Sequence, residues 1–247
     1  MGNECSVRAT ATGPPAWTRG RQRPTVSTMT AAAPTPFTAT TVPALAAPID
    51  FWFDFSSPYS YIASEWIEAL AARHGRALRW HAILLGVTFQ AAELKSPVAH
   101  PLKREYSLRD FARSARMEGL PYRLPEKFPI PTQLAARLFA WLASPQGAND
   151  PARAVRWAHT GLRAYFTRGV DLSDLPSLQA LAQDCGIAPE QCAAVCADPV
   201  WKEALRREND AAIAAGVFGA PFFLVDGEPF WGNDRKPQIE RWLAGER

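Results

Sequence analysis

The sequence has no long apolar run and no cluster of charges of one sign. No stretch of 18 apolar residues is present, so the sequence predicts no membrane-spanning helix. The 27 basic residues are scattered among 24 acidic ones for a net charge of +3, a pattern that does not indicate nucleic-acid binding. A secretory signal peptide needs a compact apolar core behind a basic N-terminus, and this is missing too. These absences predict a cytoplasmic protein that binds neither membranes nor nucleic acid.

Cysteine pairs are also missing. The four cysteines are Cys5, Cys185, Cys192 and Cys196, and none belongs to a Cys-x-x-Cys motif. A zinc site requires cysteine pairs and histidines at spacings that this sequence does not have, so we expect no metal. We interpret the cysteines as small buried apolar side chains in a reducing compartment.

The N-terminal stretch differs in composition from the rest of the chain. Residues 1–47 are rich in Thr, Ala and Pro and show no apolar period. Such a composition buries too little apolar surface to offset the entropy lost on ordering the chain. We therefore predict a disordered N-terminal extension over residues 1–47. Met29 is an alternative start of translation, which the sequence leaves open.

The first predicted strand leads directly to the leading candidate residue. Ile49–Phe55 is almost continuously apolar, which is typical of a strand covered on both faces. Pro58 suits the first position of a helix, and Ser57 suits its N-cap. Where a strand's carboxyl end meets a helix N-terminus, backbone N–H groups and the helix dipole favour an anionic ligand. Ser57 is thus a candidate site residue, with the alternative that it only caps the helix.

The order of the later elements predicts the fold class. Leu78–Leu84 predicts a second strand parallel to the first, because a helix joins the two. Helical patterns then occupy residues 88–200, interrupted by a proline-rich loop at residues 119–131. They include a short helix at Phe89–Lys95 and a helix that begins at Pro199. A hairpin with Asp226-Gly227 at its turn and a closing helix follow. This is the α/β thioredoxin-like order (βαβ … ββα) with an inserted all-helical domain. We predict a thioredoxin-like domain from residues 48–87 and 201–247, and a helical insertion domain from residues 88–200.

Three stretches carry a resemblance to a known family. They are DFSSPYSY at 54–61, GVFGAP at 216–221 and FWGNDR at 230–235. They resemble the 2-hydroxychromene-2-carboxylate isomerases and the related kappa-class glutathione transferases of the DsbA-like thioredoxin superfamily. The similarity covers about residues 49–245, and the last stretch is the most specific to the isomerase branch.

The resemblance places Ser57-Pro58-Tyr59-Ser60 where redox thioredoxins have Cys-x-x-Cys. Without sulfur at these positions, this turn cannot exchange disulfides. The resemblance implies that Ser57 is the catalytic group, which donates a hydrogen bond to the thiolate of bound glutathione. Pro58 and Tyr59 are expected to line the same cofactor site.

The other two stretches complete the implied glutathione site. Ala220-Pro221 resembles the cis-proline segment of thioredoxin folds, which leaves the Ala220 backbone free to pair with a peptide ligand. The alternative is an ordinary trans proline at an edge strand. Asn233 and Asp234 are implied to hold the γ-glutamyl end of glutathione, with Asp234 facing its ammonium group. The alternative for Asp234 is a cap of the last helix.

The substrate residues are expected in the helical insertion, where the match to the family is imperfect. The resemblance implies cationic groups there that face the substrate's carboxylate and phenolic oxygen. In an ungapped register from Ser57, the resemblance places Phe89 where the isomerases are expected to have a lysine. Lys103, Tyr106 and Arg109 are therefore the candidates, and a solvated basic helix face is the alternative.

Two further aromatic residues are given structural roles. Trp231 follows the hairpin and can line the site or belong to the core, of which we favour the core. His81 lies on the second predicted strand, and we interpret it as structural rather than catalytic.

The function expected from the resemblance is a glutathione-dependent isomerase of aromatic catabolism. It would interconvert 2-hydroxychromene-2-carboxylate and trans-o-hydroxybenzylidenepyruvate, through a bound thiolate that adds to the conjugated carbon and leaves after rotation. The expected partners are glutathione, a small aromatic acid and a second copy in a homodimer. The alternatives are a kappa-like glutathione transferase or peroxidase and a non-catalytic glutathione-binding module.

Overall fold

The computed structural model describes residues 47–246. The predicted disordered extension, except for Ala47, lies outside these residues. The strands are β1 (Ile49–Phe53), β2 (Leu78–Ala82), β3 (Phe222–Val225) and β4 (Glu228–Trp231). The helices are α1 (Pro58–Arg73), α2 (Leu85–Ala91), α3 (Arg104–Met117), α4 (Gln133–Ala143), α5 (Pro151–Arg163), α6 (Leu175–Gln183), α7 (Pro189–Ala197), α8 (Pro199–Ala214) and α9 (Lys236–Leu243). Short 3₁₀ turns precede α3 and α9, and α5 continues into a π-helical turn at Ala164–Arg168.

The strands form one mixed sheet in the order β2-β1-β3-β4. β1 pairs in parallel with β2 and antiparallel with β3, and β3 pairs antiparallel with β4. Every residue of β1 is buried, as its apolar run predicts for a central strand. Asp226 and Gly227, with φ of 54° and 85°, form the tight turn between β3 and β4. The predicted thioredoxin-like fold class is confirmed.

Helix α1 follows its sequence signals closely. Ser57 caps it by accepting a hydrogen bond from the Ser60 backbone N–H, and Pro58 occupies the first turn. Its apolar stripe packs on the sheet, where the rings of Trp66 and Phe223 lie 5.3 Å apart. The helix ends before Gly75, whose φ of 62° suits glycine.

The helices between β2 and β3 share one continuous core with the sheet. Phe53 on β1 contacts Phe139 on α4 with ring centroids 5.3 Å apart. Phe55, after β1, lies 6.2 Å from Trp157 on α5. The division into residues 48–87 with 201–247 and residues 88–200 stays a prediction.

The sequence misplaces one helix in this segment. It predicts a short helix at Phe89–Lys95, whereas α2 spans Leu85–Ala91. The backbone N–H of Leu85 donates to the Asp54 carboxylate at 2.6 Å, so an acceptor from a distant part of the chain fixes the start of this helix. Within residues 47–246, no helix is long and apolar enough to cross a membrane.

His81 joins the sheet to α8 through two carboxylates. Its Nδ1 lies 2.6 Å from Glu208, and its Nε2 lies 2.9 Å from Asp50. A carboxylate at each ring nitrogen favours the protonated ring, in which both nitrogens donate. The ring also stacks on Trp52 at 4.7 Å. This placement agrees with a structural role.

The ion pairs of His81 make stability depend on pH. Burial lowers the pKa of His81, but the hydrogen bonds and charges of Glu208 and Asp50 outweigh it and raise the pKa above 6.5. A raised folded-state pKa gives stabilisation that is complete below about pH 6.5 and is lost as pH rises through the folded-state value. We predict that His81→Gln lowers the free energy of unfolding most below about pH 6.5. At higher pH the unfolding free energies of the variant and of wild type should converge. Urea unfolding at a series of pH values measures both.

His74→Gln serves as the control, since the structure shows no ion pair for His74 among the described residues. His159 is unchanged in every protein compared, so the difference between the curves isolates His81. A constant gap between His81→Gln and wild type at all pH values would contradict the assignment.

Candidate active site

A cavity of about 810 Å³ opens where β1 ends and α1 begins. Its other walls come from helix α2 with the residue before it, the 3₁₀ turn before α3, helix α3, the 128–133 segment, the residues just before β3 and the loop after β4. Eight of the ten predicted site residues line it: Ser57, Pro58, Tyr59, Tyr106, Ala220, Pro221, Asn233 and Asp234. Lys103 and Arg109 do not.

Ser57 is both the helix cap and a contact to the second predicted segment. Its side chain is buried, and its Oγ accepts from the Ser60 N–H at 3.2 Å. The same hydroxyl donates to the backbone carbonyl of Ala220 at 3.0 Å. The hydroxyl hydrogen is thus already engaged, on a group 163 residues away. The hydroxyl therefore caps the helix and contacts the second predicted stretch at the same time, and its catalytic role stays a prediction.

The Ala220-Pro221 peptide bond is cis, as the resemblance implies. Pro221 also receives a hydrogen bond on its carbonyl from the Gly232 N–H at 3.1 Å, which holds the loop after β4 against the proline. Gly219 allows the close approach of Trp231, because a Cβ there would lie 2.4 Å from Nε1 of Trp231 and the indole would have to shift. These contacts bring the second and third predicted stretches together.

The expectation that Trp231 belongs to the core is wrong. It is half exposed and lines the cavity, and its ring packs edge-on against Phe218 at 4.8 Å. Side chains alternate along β4, so Phe230 points into the core and Trp231 to the opposite face.

Asn233 and Asp234 differ in their environments. The Oδ1 of Asn233 accepts from the indole N–H of Trp66 at 2.8 Å, so α1 holds this side chain in place. Asp234 is exposed and pairs with Arg235. The alternative that Asp234 caps the last helix is wrong, because α9 begins after Arg235 without a side-chain cap.

Sequence reasoning missed the buried carboxylate of Asp54 behind the cavity. Its Oδ1 accepts from the Ser56 N–H at 2.6 Å and from the Thr132 hydroxyl at 3.0 Å, and its Oδ2 accepts from the Leu85 N–H. Burial raises the pKa of Asp54, and the three hydrogen bonds oppose this shift. The only signal in the sequence is an acid that directly follows an apolar strand.

The predicted residue Tyr59 belongs to an aromatic wall, which we define as Tyr59, Phe111 and Phe128. Sequence reasoning missed Phe111 and Phe128 as site residues. The ring of Phe111 lies 5.0 Å from Tyr59 and 5.9 Å from Phe128. The Tyr59 hydroxyl donates to Asp110 at 2.5 Å. Burial and this carboxylate raise the pKa of Tyr59 far above its usual value, so the phenol stays protonated at neutral pH. Residues 119–131 were readable only as a proline-rich loop, so Phe128 carried no signal of its own.

The cavity contains little positive charge. Arg109 pairs with Glu105 at 2.6 Å on the exposed side of α3. Arg113 pairs with Asp110 and lies over the Tyr106 ring at 5.6 Å. Among the described residues that line the cavity, Arg235 is the only Lys, Arg or His. The substrate roles of Lys103 and Arg109 stay predictions, and their positions outside the cavity do not favour them.

No group of three or more His, Cys, Asp or Glu within residues 47–246 is arranged to hold a metal ion. The three cysteines in this range are buried and form no disulfide with one another.

We predict that Asp54→Asn lowers the free energy of unfolding by about 1–3 kcal/mol. The amide that replaces one carboxylate oxygen cannot accept, which leaves a buried donor of Ser56 or Leu85 unpaired. Thr132→Val removes one of the three donors and should cost less, about 0.5–1.5 kcal/mol. Urea unfolding measures both values. An Asp54→Asn protein as stable as wild type would contradict the structural role of this carboxylate.

Comparison with known proteins gives the family. The model of the DSBA-like thioredoxin domain matches residues 48–244. A 2-hydroxychromene-2-carboxylate isomerase from Sphingobium xenophagum is 29% identical over 197 residues, which is 79% of this chain and 97% of the relative. Glutathione S-transferase kappa 2 from Caenorhabditis elegans is 26% identical over 211 residues, which is 79% of this chain and 91% of the relative.

A solved structure of a 2-hydroxychromene-2-carboxylate isomerase matches with a TM-score of 0.70 and 26% identity, covering 80% of this chain and 94% of that one. These similarities confirm the resemblance that the three sequence stretches carry. Relatives that bear the name of an isomerase also agree with the enzyme class expected from the sequence. The chain belongs to the DSBA-like thioredoxin domain family.

Proposed function

We propose that this chain is a glutathione-dependent isomerase that acts on a conjugated double bond, with 2-hydroxychromene-2-carboxylate as the first substrate to assay. The observation that carries the proposal is the buried Ser57 hydroxyl at the N-terminus of α1, opposite the Ala220 carbonyl, in a turn without sulfur. The names of the curated relatives support it.

The residues of the cavity fit glutathione. Ala220 offers a backbone carbonyl for strand-like pairing with a peptide. Asp234 offers an exposed carboxylate for an ammonium group. The Nε of Arg235 is buried without a hydrogen-bond partner among the described residues, and it suits a ligand carboxylate. A cavity of about 810 Å³ leaves room for a second molecule beside the tripeptide.

When bound, glutathione supplies a thiolate that adds reversibly to a conjugated carbon, so that the neighbouring bond can rotate. Ser57 donates a hydrogen bond that favours the thiolate over the thiol. The N-terminus of α1 adds positive partial charge, and its first turn carries no acidic residue to oppose it. Tyr59 stays protonated and presents its ring to the cavity beside Phe111.

A second candidate is a kappa-like transfer of glutathione onto an uncharged electrophile. Phe89 lines the cavity where the isomerases have a lysine, and Lys103 and Arg109 do not line it. Among the described residues that line the cavity, three have carboxylates (Asp54, Asp110 and Asp234), and one, Arg235, has a guanidinium. A carboxylate substrate finds little compensating charge in such a cavity, whereas a neutral aromatic electrophile requires none.

The homodimer and the cytoplasmic location belong to the same proposal. Both rest on the resemblance and on the sequence pattern. Sedimentation of the full chain tests the first, and fractionation of the native cell tests the second.

We predict that Ser57→Ala raises the thiol pKa of bound glutathione by about 1–2 units and lowers turnover about 10- to 100-fold. The lost hydrogen bond to a charged group is worth about 1.5–3 kcal/mol, and one pKa unit corresponds to about 1.4 kcal/mol. Ultraviolet absorbance of the thiolate against pH measures the first quantity, and steady-state kinetics the second.

Asp174→Ala is the matched control, because Asp174 caps α6 in the same way and does not line the cavity. Both variants should lose about 0.5–2 kcal/mol of stability through the missing cap. Only Ser57→Ala should change the thiol pKa. A bound thiol whose pKa is the same in wild type and Ser57→Ala would refute the proposed mechanism.

We predict that Phe89→Lys raises kcat/KM for the chromene carboxylate about 10-fold and leaves the rate with a neutral chlorinated nitrobenzene nearly unchanged. A cation in the cavity stabilises the substrate carboxylate by about 1.5–3 kcal/mol when shielded from solvent. Gln90→Lys adds the same charge one residue away, at an exposed position that does not line the cavity. Equal effects of both variants on the carboxylate would mean that the cavity charge does not select the substrate.

A further inference from the structure

We infer that the Ala220 carbonyl holds the Ser57 hydroxyl in an inactive orientation, and that a ligand releases it by donating its own amide N–H to that carbonyl. The inference rests on the proposed glutathione site and adds a condition for it. The activated ligands are peptide-like thiols with an N–H at the cysteine, and simple thiols without this N–H are not activated.

The hydrogen-bond inventory of Ser57 carries the argument. A serine hydroxyl has one hydrogen and two lone pairs. One lone pair accepts from the Ser60 N–H, which is the helix cap, and the single hydrogen points to the Ala220 oxygen at 3.0 Å. Ser57 therefore cannot donate to a thiolate while it donates to Ala220. The helix cap is compatible with either orientation, because it uses only a lone pair.

The Ala220 carbonyl resists the loss of this hydrogen bond. Ala220 is 7% exposed, and Ser57 is the one donor that the structure shows for its oxygen among the described residues. Leaving a buried carbonyl without a donor costs free energy. This cost is comparable to the free energy gained when a hydroxyl forms one new hydrogen bond to a charged group such as a thiolate. If Ser57 turned to a thiolate with nothing in its place, the two effects would largely cancel. The hydroxyl alone is thus a weak activator.

A peptide ligand removes this cost. The carbonyl of Ala220 lies just before β3, at a backbone position with no strand partner, so an extended peptide can pair with it. Its amide N–H can donate to the Ala220 oxygen, which accepts on two lone pairs, so the oxygen keeps a donor when the Ser57 hydroxyl turns away to the sulfur. The thiol proton leaves to bulk water. Recognition of the peptide backbone and activation of the thiol become one event, so the site selects peptide thiols over other cellular thiols.

The test compares glutathione with an analogue in which an ester oxygen replaces the N–H of the cysteine residue. The full chain is titrated with each ligand at saturation, and the thiolate is followed by ultraviolet absorbance against pH. We expect wild type to lower the thiol pKa of glutathione by about 1–2 units and that of the ester by clearly less. In Ser57→Ala the two bound ligands should show equal thiol pKa shifts, and Ser57→Thr should behave as wild type.

A second measurement avoids the thiolate altogether. The S-methyl derivatives of both ligands are compared by calorimetry on wild type and Ser57→Ala. Ser57→Ala leaves the Ala220 carbonyl without its donor, so the preference for the amide over the ester should increase about 3- to 10-fold in this variant. If Ser57 and the ligand N–H were not coupled, wild type and Ser57→Ala would show the same preference for the amide over the ester.

The outcomes separate the inference from the proposed function. If wild type lowers the thiol pKa of the ester as much as that of glutathione, the coupling is wrong and the glutathione site stands. If wild type does not lower the thiol pKa of glutathione, the proposed function itself fails. An equal amide preference in wild type and Ser57→Ala also overturns the coupling.

Discussion

The buried carboxylate of Asp54 is the constraint on which the cavity depends. An acid at the end of an apolar strand is costly to bury unless donors surround it. Three parts of the chain supply these donors: the turn before α1, the start of α2 and the residue before α4. Ser56 also connects the turn before α1 to the 128–133 segment, because its hydroxyl accepts a hydrogen bond from the Ile130 N–H at 3.1 Å. Asp54 thus holds three segments of the cavity wall together through its two carboxylate oxygens.

The sheet order explains why the cap of α1 contacts the segment before β3. Because β3 lies beside β1 in antiparallel orientation, the start of β3 meets the end of β1, and Ala220 comes to lie opposite Ser57. A cap elsewhere in this chain, such as Asp174 on α6, faces solvent and stabilises only its helix. The same local chemistry at Ser57 lies beside a backbone carbonyl in a buried cavity. Position in the topology, rather than residue type, distinguishes the two.

The features predicted correctly from the sequence are those that local interactions decide. The Ser57 cap, the Asp226-Gly227 turn and the start of α8 at Pro199 each depend on neighbours within a few residues. The features that were missed depend on distant partners. Leu85 begins a helix because Asp54 accepts its N–H, and nothing near Leu85 in the sequence signals this. Arg109 and Tyr106 lie on the same helix, α3, but only Tyr106 lines the cavity. Contacts between α3 and α1, such as the hydrogen bond from Tyr59 to Asp110, decide which face of α3 is turned to the cavity.

The residues that match the family pattern and those that depart from it belong to two parts of the proposed function. Ser57, Ala220 and Asp234, which match the pattern, line the part of the cavity where we propose that a peptide thiol binds. Phe89 departs from the pattern and lies in the wall built by α2 and α3, where the second substrate would lie. Thiol activation needs a hydroxyl, a carbonyl and a helix N-terminus, and it is indifferent to charge further along the cavity. Substrate choice depends on that charge, and here the described walls offer one guanidinium against three carboxylates. A chain can therefore keep the chemistry of its relatives while its acceptor changes, which is why 29% identity to an isomerase supports the thiol chemistry more strongly than it supports the carboxylate substrate.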